Sequence, residues 1–321
     1  MLSRFCAAAL IFLLGQLGAR EAAAQTDPDC RLTQYASLDL TLDGGGVLVP
    51  VSLNGRTGSM RLHPAWPVSF FYGEAVRDLG LPRRNDVRDL EVDLGAQRIT
   101  ETAKFESLIL GQANLTNGEW MVLPSSYSDT AFGVLGMDVF DRIDFELDLR
   151  GKKLNLFSQD HCAGQVVYWS DSFASTRLRR ESGAFGNLYF EIQLDGKKLD
   201  ATWSPSAPMT TLPAQITKRL FGFDETAPDV EVEGDGIFRR YIATMQLTAP
   251  GLTGTNTRVA LVPAAQCSDR LPTTGTRIVE ECRRPQPLML GRNILEQLRL
   301  YFATKEKVLY YTAAEAAPSG G

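Results

Sequence analysis

The chain has 321 residues, 44% of them hydrophobic and 22% charged, with a formal net charge of -5 and a pI near 5.3. That composition supports one large core or two smaller ones and excludes a disordered, collagen-like or coiled-coil chain. A mildly acidic balance gives no general attraction for nucleic acid or anionic lipid, and the local run Arg177 to Arg180, broken by Leu178, reads as a solvated linker face.

The first residues carry Arg4, an apolar run from Phe5 to Leu17, and then Ala22-Ala23-Ala24. A charged start, a short apolar stretch and small residues at a cleavage point predict a secretory signal over 1–24. Cleavage there leaves a chain from about Gln25, in a periplasmic or secreted location. No later segment has the roughly 20 apolar residues of a membrane helix. Cys6 leaves with the signal, so four cysteines remain: Cys30, Cys162, Cys267 and Cys282. An even count in an exported chain reads as two disulfides, with three pairings open. Cys267 with Cys282 is preferred because they flank one local loop. Cys30 then ties the N-terminus to Cys162. A short closed loop of this kind is worth roughly 3 kcal/mol in the chain-entropy model. Two histidines and no C-x-x-C argue against a metal site, and no cofactor motif is present.

Next comes an alternating strand that runs into Asn54-Gly55, the strongest short hairpin signal. A return strand follows, then a Pro- and Ala-rich turn and a short helix around Gly73 to Leu79. Alternating strands cover Lys104 to Leu110 and Met121 to Pro124. An apolar-Leu-Gly turn ending at Gly136, a short helix and a closing hairpin end this unit. The plan then repeats. Setting Asn54-Gly55 against Asp195-Gly196 brings Leu53 to Leu194, Pro64 to Pro205, Pro67 to Pro208 and Ser69 to Thr210 without a gap. Setting Gly136 against Gly291 brings Phe140 to Leu295, Ile143 to Leu298, Lys152 to Lys307 and Leu154 to Leu309. The second helix falls around Pro213 to Leu220. Many short strands with few helices predict a mainly β chain. The repeats span 25–165 and 188–312, joined by 166–187 inside a connecting region from Ser158 to Asn187, with a frayed tail over 313–321.

Val134-Leu135-Gly136 and Met289-Leu290-Gly291, each following a hairpin and a helix, resemble the second motif of the pepsin-like and retropepsin-like aspartic proteases. The run from Gly291, GRNILEQLRLYF, is similar to the retropepsin version. The resemblance covers about Ser37 to Tyr311. It implies a bilobal fold of two homologous β-rich lobes with a cleft between them, of a bacterial, secreted, duplicated type. A chain carrying both lobes suffices as a monomer. The family has Asp-Thr-Gly-Ala in each lobe. This chain has His63-Pro64-Ala65-Trp66 and Ser204-Pro205-Ser206-Ala207.

The family's chemistry needs two carboxylates about 3 Å apart sharing one proton. His63 and Ser204 cannot supply that, so no catalytic residue is expected. Pro64 and Pro205 have neither a hydroxyl nor a backbone donor, so the brace between the loops is expected to be lost. Ala65 and Ser206 stand where close backbone approach favours glycine. Asp129, Asp138, Asp141, Asp144 and Asp200 read as turn, helix or strand residues and not as replacement acids. Trp66 and Trp203 flank the altered positions, and large side chains there are expected to fill the cleft floor.

Three functions follow. The first is a non-catalytic protein that holds a peptide or extended protein segment in the cleft, under hairpins near Asp93 to Arg98 and Glu233 to Phe238. The second is a hydrolase rebuilt on a His63/Ser204 pair. The third is an interaction protein with a closed cleft. An Asn-Leu-Thr triplet at Asn114 matches a glycosylation acceptor, but carries no weight in a chain of bacterial character.

Overall fold

The computed structural model describes residues 31–44, 46–64, 66, 68–85, 92–94, 97–99, 101–123, 129–180, 188–235, 239–262 and 287–314. The expected signal segment 1–24, Cys30, Ala65, Pro67, Cys267, Cys282 and the tail beyond 314 lie outside them. Among the described residues no helix is long and apolar enough to cross a membrane.

The two repeats fold into two similar β-barrel-like lobes. In the first, strands run in the order Thr41–Asp43, Gly46–Leu53, Arg56–Leu62, Gly133–Leu135, Phe70–Tyr72, Ala113–Leu123, Thr102–Leu110 and Arg83–Arg84. Leu53 pairs back onto Leu108 and closes the sheet. In the second lobe the order is Arg179–Arg180, Leu188–Leu194, Lys197–Trp203, Leu288–Leu290, Thr210–Pro213, Leu252–Val262, Arg240–Ala249 and Glu231–Glu233. Leu194 closes on Leu247. Leu53 and Leu194 are the positions that the repeat sets against each other.

Local chemistry explains the turns. Asn54 and Gly55 both have positive φ (47° and 79°), as do Asp195 and Gly196 (44° and 73°), which is the I′ hairpin conformation. The Asn54 side chain accepts the amides of Glu106 and Ser107, and the Asp195 side chain accepts that of Gln246. Each hairpin tip is thereby tied to the strand that closes its barrel. The short helices fall at Gly73–Asp78 and Ala214–Phe221, close to the expected spans.

A six-stranded sheet joins the lobes, in the order Gln34–Asp39, Lys153–Phe157, Asp144–Asp148, Leu298–Ala303, Val308–Ala313 and Ala174–Arg177. Its two central strands come from different repeats and pair antiparallel, Phe145 with Phe302, Glu146 with Tyr301, and Leu147 with Leu300. Glu146 and Tyr301 each lie ten residues after the glycine of their repeat, so the pseudo-twofold axis passes through that pair. The face toward the barrels is apolar, and Phe145 and Phe302 stack at 4.5 Å. Burying such large rings on a shared seam makes the lobes one hydrophobic unit.

The connecting region does more than link. Val166 and Leu178 are buried, and Ala174–Arg177 supplies an edge strand to the shared sheet. Two of its arginines are exposed but paired, Arg179 with Asp200 and Arg180 with Asp141. Cys162 is disulfide-bonded, to a partner outside the described residues.

Candidate functional site at the paired loops

Strands Arg56–Leu62 and Lys197–Trp203 deliver the two loops to matching places. The His63 amide donates to the Leu135 carbonyl and the Ser204 amide to the Leu290 carbonyl, both at 2.9 Å. Trp66 N–H closes a turn on the His63 carbonyl (2.9 Å), and Ala207 N–H closes one on the Ser204 carbonyl (3.1 Å). Pro64 and Pro205 are buried at the second position of these turns, where a fixed φ suits the bend. Trp66 and Ala207 in turn accept the amides of Met137 and Arg292.

Gly136 and Gly291 run directly beneath the loops. A Cβ on Gly136 would lie 2.5 Å from the Val68 carbonyl, and one on Gly291 would lie 2.2 Å from the Met209 carbonyl carbon. Both residues are extended, so space and not backbone angle demands glycine. A hydroxyl holds each crossing. Ser69 accepts the Gly136 amide (2.9 Å) and donates to Asp138 (2.7 Å). Thr210 accepts the Gly291 amide (3.1 Å) and donates to Asn293 (2.9 Å). Asp138 and Asn293 occupy equivalent places, two residues after each glycine. Burial pushes the Asp138 carboxyl up from its ordinary value, against the opposing hydrogen bond from Ser69. Asp138 is a bracing residue and not a plain helix residue as expected from the sequence. The spacing shared with Asn293 was the signal that could have shown its bracing role.

His63 is largely buried, and its ring lies 5.0 Å from that of Trp66, which meets Phe70 edge-on at 5.1 Å. Burial pushes the imidazole down to about 4. His63 is therefore neutral over most of the pH range, and its folded value lies below its unfolded one. Stability from this site is present above the unfolded value near 6.5 and is lost as pH falls toward 4. We expect acidification across that window to cost the wild type up to about 3 kcal/mol more than His63→Gln. Denaturant titrations of both proteins at several pH values check this, and parallel pH slopes would contradict it.

Ser204 is 2% exposed. Nδ1 of His63, the nitrogen that an orienting acid would hold in a serine–histidine relay, is buried with no partner. Asp129, which precedes the first motif glycine in sequence, is occupied elsewhere. Burial opposes its ionisation, but hydrogen bonds from Arg61 and from the Ala131 amide outweigh it and hold the carboxyl below its ordinary value. Arg61 also grips Asp43 with two bonds of 2.8 and 3.0 Å.

Two expectations need correction. The brace between the loops is rebuilt and not lost: Ser206 Oγ donates across the lobes to the Leu62 carbonyl at 3.1 Å. Room for it comes from Gly46 of the first lobe, where a Cβ would stand 2.6 Å from Ser206 Oγ. Trp203 is not on the cleft floor. It is 1% exposed and stacks on Phe302 at 4.5 Å, inside the core under the second loop. Strand alternation points it inward with Ala201. Beside it lies an apolar cavity of about 20 Å³ bounded by Phe190, Leu247, Leu290 and Leu300, room for about one water and within the second repeat, not between the lobes. Trp66, Ser206 and Ala207 are half-buried.

Of the two expected hairpins, Asp93 pairs with Arg98 as anticipated. The second forms between Glu233 and Arg240, its residues 236–238 outside the described ones. Among the described residues no group of His, Cys, Asp and Glu is arranged to hold a metal ion.

No family model and no curated protein matches the sequence. The fold is similar to that of a solved structure: the aspartic proteinase from Irpex lacteus superposes with a TM-score of 0.53 at 12% identity, over 87% of this chain and 97% of that one. With the paired lobes, the shared sheet and the two loop crossings, this shows that the chain has the bilobal aspartic-proteinase fold.

Proposed function

We propose that this protein is a non-catalytic relative of the aspartic proteases that holds an extended peptide or protein segment between its lobes, in an oxidising extracytoplasmic compartment. The observation that carries the reading is the pair of loops. They sit at matching positions over the two glycine crossings, yet neither loop contains a carboxylate. His63, left a weak base by burial, and a buried Ser204 cannot share a proton in the way that two facing carboxylates do. The signal-like N-terminus and the disulfide at Cys162 support export. Pairing of Cys30 with Cys162, and of Cys267 with Cys282, is part of this proposal.

The Ser69–Gly136 and Thr210–Gly291 hydrogen bonds and the Ser206 brace hold the two loops in fixed places, which suits a preformed binding surface. An extended ligand would use strand-like hydrogen bonds and an aromatic contact at Trp66. Panning a displayed peptide library on the mature protein tests this. Selected peptides should bind wild type at least about tenfold more tightly than Trp66→Ala. Enrichment of no peptide, or of peptides indifferent to Trp66, would contradict the binding half of the proposal.

A further inference from the structure

The outer face of the shared sheet, away from the barrels, carries buried charge that the paired loops do not use. Asp144 and Glu146 of the first lobe are both 0% exposed. Asp144 Oδ1 accepts the amide and hydroxyl of Thr304 of the second lobe, at 2.9 and 2.8 Å. Its Oδ2 lies 2.5 Å from Nε2 of His161. The other imidazole nitrogen lies 3.2 Å from the Cys162 carbonyl and 3.3 Å from Glu306 of the second lobe. Gln159 reaches both Asp144 (3.3 Å) and Thr304 (2.7 Å), and Lys305 donates to the Gln159 carbonyl at 3.0 Å. Farther along, Tyr168 donates to Glu146 at 2.5 Å and Trp169 to Thr312 at 3.0 Å. Arg299 donates to Glu146 at 2.6 Å and lies 4.5 Å over the Trp169 ring.

One segment, 159–169, therefore bonds the first lobe's central strand and the second lobe's closing hairpin at once. The duplication is symmetric on the inner face and complementary on the outer one. Where the first repeat has Asp144 and Glu146, the second has Arg299 and Tyr301. Each half thus answers the other and not a copy of itself.

We propose that segment 159–169 is a clasp that makes the two lobes a single cooperative unit. This holds whether or not the cleft binds a peptide. Buried polar networks of this kind couple the elements that share them, because losing one member leaves the others unpaired in a low-dielectric setting.

Calorimetry and amide hydrogen exchange on the full chain test it. Wild type should melt in one transition, with amides of 145–148 and 299–302 exchanging together. His161→Ala should speed exchange in both strands by at least about tenfold and split the melt in two. Val49→Ala, in the first barrel and remote from the clasp, should lower the single transition without splitting it. Combined with His161→Ala, it should move only the first-lobe transition. If His161→Ala does not fold, His161→Gln, which keeps one donor, serves in its place. Two transitions in the wild type, or a single melt in the His161 variant with faster exchange in one lobe only, would overturn the proposal.

Discussion

Arg299→Ala is expected to destabilise the protein by about 3–5 kcal/mol, a large effect for one surface-side residue. Glu146 is fully buried, on the strand that meets its twofold mate, and Arg299 Nε donates to it at 2.6 Å. Removing the guanidinium leaves a buried carboxylate that, among the described residues, keeps the Tyr168 hydroxyl as its side-chain hydrogen-bond donor. Most of the cost is the charge left behind, not the bond itself. A Glu146→Leu, Arg299→Met double variant should therefore recover most of the loss. Chemical denaturation of the three proteins measures this. A neutral Arg299→Ala would mean that Glu146 does not depend on that partner.

Gly136→Ala and Gly291→Ala should each cost about 3 kcal/mol or more, and together should leave no folded protein. The added methyl meets backbone carbonyl groups at 2.2 to 2.5 Å, and backbone cannot rotate away as a side chain can. Either the crossing strand or the loop above it must move, and the Ser69 or Thr210 hydrogen bond moves with it. Gly44→Ala is the control. Nothing lies within 4 Å of its Cβ, so its stability should stay within about 0.5 kcal/mol of wild type. Thermal melts would show the contrast, and equal melting temperatures for Gly291→Ala and wild type would refute the steric account of the motif.

The lobes were legible in the sequence because their signals are local. Asn54-Gly55 and Asp195-Gly196 demand positive φ and so announce hairpins, while the two glycines are forced by a close crossing that recurs in each repeat. The register of the shared sheet follows from the same alignment, since Glu146 and Tyr301 meet as equivalents. What was not legible depends on partners far away in the chain. Trp203 looked like a loop residue, but its direction is set by alternation along Lys197–Trp203 and by Phe302 waiting in the shared sheet. The Ser206 brace needs Leu62 and Gly46 of the other lobe. No local pattern marks His161, because its contacts with Asp144 and Glu306 arise only when the connecting segment lies across both lobes.

Cleavage of a peptide library by the purified mature protein, from acid to neutral pH, beside a His63→Ala, Ser204→Ala double variant, decides whether the paired loops are catalytic. Neither protein should cleave at any pH, because neither paired loop carries a carboxylate. Cleavage by the wild type that vanishes in the double variant would contradict this, and would assign a rebuilt active site to those two residues.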